Sequence, residues 1–154
     1  MKKFSNTVCV DTNILVYAID EENPFYERAR GFLDKVRFGK IGAVVAVQNI
    51  TEFYATVTSS RRGIKGLGTD RAWKEVEKFL GFIDVIYPTS GVIVELKYIT
   101  EDRKILGQDV YDAFLAATIL SNGVKTLITE NKDDFAGIAG LKAVSLEDWK
   151  RVSS

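Results

Sequence analysis

The stretch Val8-Cys9-Val10-Asp11-Thr12-Asn13-Ile14-Leu15 decides how the rest of the chain is read. Val8 to Val10 is a short β-prone apolar run, and it stops at Asp11-Thr12-Asn13, a triplet that favours turns and helix caps. Ile14 to Ile19 then predicts a short helix, so the segment reads as strand, polar loop, helix. The same alternation continues outward. Asn23 before Pro24 predicts a helix start, with Phe25, Ala29, Phe32, Leu33 and Val36 at helical spacing until Gly39. Ile41 to Val47 predicts a buried strand, and Ile50, Phe53, Tyr54 and Val57 form an i, i+3, i+4, i+7 stripe that predicts a helix from Gln48 to about Ser60.

Beyond a glycine-rich basic loop, Arg61 to Gly68, Thr69 or Asp70 is placed to cap a helix through Leu80. Asp84 to Tyr87 predicts a strand, Ser90 the start of a helix to about Ile105, and Asp109 a cap for a helix from Val110 to Asn122, with Gly123 just past its end. Lys125 to Ile128 and Ala143-Val144 predict two more strands, and Ser145 a cap for a last helix containing Trp149. Short apolar strands alternating with longer helices predict an α/β protein, a three-layer sandwich whose mainly parallel sheet lies between helical layers. Ligands in such folds sit beyond the carboxyl ends of the strands, where Asp11 and Thr129 fall.

Composition narrows the chemistry. The 154 residues contain no histidine and a lone cysteine, Cys9, which excludes Ser-His-Asp and Cys-His catalysis, imidazole zinc sites and disulfide frameworks. Twenty-one basic and 21 acidic residues balance to zero, so a nucleic-acid partner requires a local patch. Arg61, Arg62 and Lys65, followed by Arg71 and Lys74, form one such excess, which reads equally as solvated surface. No apolar run approaches the ~18 residues of a membrane span. A single domain over residues 1–154 in a reducing cytoplasm is the expectation.

Five acids stand out. Val110, Tyr111, Phe114, Leu115, Ala116, Ala117, Ile119 and Leu120 surround Asp112 at every helical azimuth, so its carboxylate should be buried and need a cation, a metal or backbone donors. The alternative is an acid in the first turn favoured by the helix dipole. Asp11 reads as an Asx turn or cap as readily as a ligand, Glu52 as a solvated glutamate opposite its helix stripe, and Asp133 or Asp134 as a cap.

Taken in order, Val8 to Leu15, Asn49 to Tyr54, Tyr111 to Thr118, and Leu127 to Asn131 with Asp134-Phe135 resemble a PIN-domain nuclease, in particular the VapC-like toxin branch. The resemblance implies an endoribonuclease that holds Mg²⁺ or Mn²⁺ at a carboxylate site and hydrolyses RNA phosphodiesters. It assigns Asp11, Glu52 and Asp112 as the first three acids. Asn131 stands where many members carry the fourth, and Asp134 stands where others do, with Asp109 a third claimant. Asn13 and Thr129 become supporting residues that hold the Asp11 loop and bond a carboxylate or water. The resemblance also implies a homodimer and a small antitoxin covering the acidic groove. A housekeeping RNase, or a degenerate domain that binds without cutting, remains the alternative reading. Oxygen-only donors suit a hard divalent cation. A haloacid-dehalogenase-type phosphatase requires an acid where Asn13 stands, and a response-regulator receiver requires an acid pair before its phosphorylated aspartate that is missing here.

Overall fold

A computed structural model describes residues 6–61 and 65–153, apart from the side chains of 152 and 153. Five strands, β1 (Thr7–Val10), β2 (Gly42–Ala46), β3 (Asp84–Ile86), β4 (Thr126–Ile128) and β5 (Lys142–Val144), form one sheet in the order β3-β2-β1-β4-β5. Every pairing is parallel, so the expected mainly parallel sheet is wholly parallel among the described residues. The helices between and after them are α1 (Thr12–Tyr17), α2 (Tyr26–Arg37), α3 (Val47–Thr58), α4 (Thr69–Leu80), α5 (Val92–Arg103), α6 (Val110–Ser121) and α7 (Leu146–Ser153).

Strand alternation builds two cores. Val8, Val10, Val45, Ile128 and Val144 face one side, where they pack with Leu15, Leu33, Phe53 and Phe79 of α1 to α4. Cys9, Val44, Ala46, Ile86 and Leu127 face the other, against Ile99 of α5 and Leu115, Ala116 and Ile119 of α6. A parallel sheet covered on both faces needs apolar side chains at both phases of the pleat, which is why these strands read as continuous apolar runs rather than alternating ones. Burying a side chain such as the fully enclosed Phe53 contributes roughly 1.5–3 kcal/mol. Among the described residues no helix is long and apolar enough to cross a membrane.

Several helix starts differ from expectation. Asn23 does not cap α2; its Oδ1 accepts from the Phe25 N–H at 2.9 Å in an Asx turn, and the helix begins at Tyr26. Gly68 rather than Thr69 or Asp70 occupies the cap of α4, and α5 begins at Val92, with Gly91 at its cap, instead of at Ser90. Asp109 makes no capping bond. A cap residue needs extended backbone, but Gly107 to Asp109 already turn as a 3₁₀ helix and leave Asp109 at φ −62°, ψ −14°. Ser145 does cap α7, accepting from the Asp148 N–H at 3.1 Å, and Gly123 follows α6 at φ +79°, a left-handed position that suits glycine.

The strand order places a switch point at the middle of the sheet. From β1 the chain first builds outward through β2 and β3, then returns to add β4 and β5 on the other side. Loops leaving β1 and β4 therefore diverge and open a crevice at their carboxyl ends.

Candidate active site

The crevice is formed around Asp11. Its backbone N–H continues the β1–β4 ladder by donating to the Ile128 carbonyl at 3.0 Å, which fixes the residue at the sheet edge of the crevice. The side chain caps α1: Oδ1 accepts from the Thr12 N–H at 2.8 Å and from Asn49 Nδ2 at 3.3 Å, and Oδ2 accepts the Thr129 hydroxyl at 2.7 Å. Three donors on a carboxylate with about four lone-pair positions leave one position open. Asp11 is only 7% exposed. Burial pushes its carboxyl above the usual range, Thr129 and the Thr12 N–H pull it down, and the Glu52 and Asp134 charges raise it further.

Thr129 is saturated in the same way. Its hydroxyl donates to Asp11 and accepts from Asn13 Nδ2 at 3.2 Å and from the Asn131 N–H at 3.0 Å. Asn13 Oδ1 in turn accepts from the Glu130 N–H at 3.4 Å. The loops after β1 and β4 are thus bonded side chain to side chain.

Glu52 enters from α3. Thr12 Oγ1 donates to its Oε2 at 2.9 Å and Gln48 Nε2 to its Oε1 at 3.0 Å, so the half-buried carboxylate faces the crevice and not bulk solvent. Asn49, fully buried, links the parts. It donates to Asp11 and to Thr12 Oγ1, while its Oδ1 accepts from the Ala46 N–H at 3.0 Å. That last bond satisfies the end of β2 and lets the strand pass straight into α3.

Asp112 arrives on the first turn of α6. Its helix is not enclosed on all sides there: Tyr111 is 63% exposed, and Asp112 is half-buried. Burial, followed by the charges of Asp134, Asp11, Glu52 and Asp109, pushes the Asp112 carboxyl up to about 6. Gln48 Nε2 ties this turn to α3 by donating to the Tyr111 carbonyl at 3.1 Å.

Asp11, Glu52, Asp112 and Asp134 line one cleft of about 290 Å³, with Asn13 and Asn131 beside them. Grooves of about 470 Å³ between α2 and α7 and about 700 Å³ between α2 and α4 are larger, but neither contains any of these four acids. Asp109 is absent from the acid cleft and lines a neighbouring cavity. Arg61 and Lys65 are exposed and do not line the cleft, and Arg62 lies outside the described residues. Tyr17 lines the cleft with its ring stacked on Phe25 at 5.2 Å.

The donor set is carboxylate oxygen with flanking hydroxyl and amide groups, which suits Mg²⁺ or Mn²⁺. Among the described residues no three acids already converge at metal-ligand spacing. Mg²⁺ keeps several waters and is held by one or two carboxylates directly, so an open acid wall satisfies it without a closed protein cage. Burial is the larger cause of the raised Asp112 carboxyl, and the neighbouring acid charges, whose repulsion a cation would relieve, add to it.

Gln48 and Asn49 are the site residues that pattern reading left without a role. Asn49 carried a signal: an amide on the apolar side of the α3 stripe, at the very start of a helix, must find partners in the core. Gln48 carried none.

Fold and cleft together define an α/β protein with a four-acid crevice at the switch point of a parallel sheet. The PIN domain model matches residues 8–141, and the chain belongs to the PIN domain family. PIN domains are generally nucleases and generally use divalent metals. The chain is similar in structure to DNA-bound VapBC from Salmonella typhimurium, at 19% identity over 91% of this chain and 98% of that one, TM-score 0.67. It is similar to VapBC2 from Rickettsia felis bound to a promoter DNA fragment, at 20% identity over 90% and 98%, TM-score 0.64. A third similar structure is VapC20 of Mycobacterium tuberculosis, described as a sarcin-ricin loop cleaving toxin, at 13% identity over 88% and 98%, TM-score 0.60. No curated protein matches the chain.

Proposed function

We propose that this protein is a Mg²⁺- or Mn²⁺-dependent endoribonuclease, the toxin of a toxin–antitoxin pair, with Asp11, Glu52, Asp112 and Asp134 as its metal-holding acids. The observation that carries the reading is their placement in one cleft at the carboxyl ends of β1 and β4. Such an ion, when bound, supplies charge stabilisation at the phosphoryl group and an acidified water for in-line attack. The chain's own residues orient it. Asp11, held by Thr12, Asn49 and Thr129, offers its remaining lone pair, and Asp112 and Asp134 face it from α6 and the Lys132–Phe135 turn. Asn131 supports the non-cleaving alternative, but Asp134 supplies a fourth charge in the same cleft.

An antitoxin partner is supported by neighbours that are themselves VapBC or toxin–antitoxin complexes. A homodimer is supported by the exposed apolar side chains of Ile93, Val94 and Tyr98 on α5. Arg61 and Lys65, with Arg62, remain steering candidates for phosphate.

The test is cleavage of single-stranded and hairpin RNA by purified protein with Mn²⁺ or Mg²⁺ and with EDTA. Chelation should abolish cleavage, and Asp11→Asn and Asp112→Asn should each lose nearly all of it. Undiminished cutting by either variant would remove the proposed site. Growth arrest on expression, relieved by a small protein encoded beside it, separates toxin from housekeeping enzyme.

A further inference from the structure

A second cavity, of about 460 Å³, abuts the acid cleft, and Asp112 and Asp134 belong to the walls of both. These two acids form the ridge between them. The second cavity is also lined by Arg103 and Lys104, at the carboxyl end of α5. The lining also includes the buried Ala113 and Ile138, Leu106, 82% exposed, and two further carboxylates, Asp109 and Asp133. Among the described residues no arginine or lysine lines the acid cleft itself.

Arg103 is anchored through its side chain and Lys104 through its backbone, and neither is committed in charge. Arg103 Nη1 donates to the Ala136 carbonyl, which uses one of its five N–H donors. Gly137, at φ +79°, makes room for it: a Cβ there would stand 2.6 Å from Arg103 Nη1. Lys104 adopts φ 54°, the lone non-glycine positive φ among the described residues, and the Ile105 N–H donates to the Thr100 carbonyl at 3.0 Å to close that turn. Although Asp109 and Asp133 also line the cavity, neither cation forms an ion pair among the described residues.

An RNA strand approaching four carboxylates is repelled unless cations meet its backbone nearby. We infer that the second cavity is the subsite for the nucleotide adjoining the scissile phosphate, with Arg103 and Lys104 on its phosphate and Leu106 beneath its ribose or base. This inference rests on the nuclease reading above. The volume falls within the ~300–1,000 Å³ of small-ligand pockets, and Arg103 and Lys104 beside apolar Ile105, Leu106, Ala113 and Ile138 offer a nucleotide both phosphate donors and an apolar surface. Phosphate contacts position a strand while the apolar surface meets the base.

The test compares parent protein, the double variant Arg103→Ala/Lys104→Ala, Gly137→Ala and a charge control, Lys125→Ala, which lies just before β4 at the opposite end of the sheet. Binding of a fluorescein-labelled single-stranded RNA is followed by anisotropy in EDTA across a salt series, and cleavage is followed with Mn²⁺. The double variant should flatten the slope of log affinity against log salt by about 0.7, the value for one phosphate neutralised on a single strand. Its KM should rise about tenfold with kcat within about threefold, the signature of lost binding rather than lost chemistry. Gly137→Ala, which displaces Arg103 without removing a charge, should move the slope about half as far, and Lys125→Ala should move neither quantity. If the parent cleaves and the double variant matches it in slope and KM, the subsite is wrong and the nuclease reading stands. If the parent neither binds nor cleaves RNA, both fall together.

Discussion

The Thr129 hydroxyl donates to Asp11 Oδ2 at 2.7 Å across 118 positions of sequence. It is the shortest side-chain link between the two loops of the crevice, and the same oxygen receives Asn13 Nδ2 and the Asn131 N–H. Removing it affects four residues at once. Thr129→Val, close in shape but without the hydroxyl, should lower stability by about 1–3 kcal/mol in urea unfolding, because a buried carboxylate loses a donor and two N–H groups lose their acceptor. Thr129→Ser should keep most of that stability. Equal stability in all three proteins would mean that this bond does not organise the crevice.

The pH dependence of the metal-free fold follows from Asp112, whose carboxyl is raised to about 6 by burial and by neighbouring acids. The folded state holds that proton more tightly than the unfolded chain does, so the associated stability is full below about pH 4, the ordinary aspartate value, and is lost as pH rises through 6. Asp11, shifted the same way, acts in the same direction. Melting temperature in EDTA should therefore fall across this window. Asp112→Asn should flatten the fall, and a parental profile that rises instead would contradict the repulsion.

Metal should reverse the effect. At neutral pH, Mn²⁺ at ~100 times its dissociation constant should add ~2.7 kcal/mol. Asp112→Asn should raise the melting temperature of the metal-free protein and blunt the response. An unmoved parental melting curve in saturating Mn²⁺ would argue against a convergent site.

Asp109 and Asp134 should separate cleanly. Asp109 makes no capping bond and contributes to the charges that raise Asp112, so Asp109→Ala should leave stability unchanged or slightly higher instead of losing the ~1 kcal/mol of a missing cap. Asp134→Ala should weaken metal affinity and cleavage while the fold persists, because Asp134 is exposed at the cleft and its removal relieves repulsion. Calorimetric metal titration beside thermal melts distinguishes the two.

The layer architecture was legible because buried parallel strands must be apolar at both phases, and the runs at Val8, Val44 and Leu127 are. The loops were less so. Asp109 has the composition of a cap, but Gly107 lets the chain start turning two residues early, and only backbone geometry reveals that. Glu52 lies off the Ile50, Phe53, Tyr54, Val57 stripe, so periodicity alone puts it in solvent; Thr12 and Gln48 bring it into the crevice through contacts across 40 and 4 positions. Asp112 reads as fully enclosed from sequence because Tyr111 counts as apolar, whereas the first turn of α6 leaves that ring outside. What sequence reading missed in Asn49 is its reach: one buried amide bonds Asp11, Thr12 and the end of β2.

The central position of β1, flanked by β2 and β4, also governs when the crevice comes into being. Asp11 is synthesised early, but one of its two flanking strands and its Thr129 donor come more than a hundred residues later. Pairing across such separations is slow and waits on loop closure. A nascent chain still ending in α5 holds Asp11 and Glu52 but neither Asp112 nor the strand that supports the loop. On the nuclease reading, a polypeptide synthesised only as far as α5 is inert, and an enzyme that cuts RNA does not mature beside the message encoding it until α6 and β4 have been made.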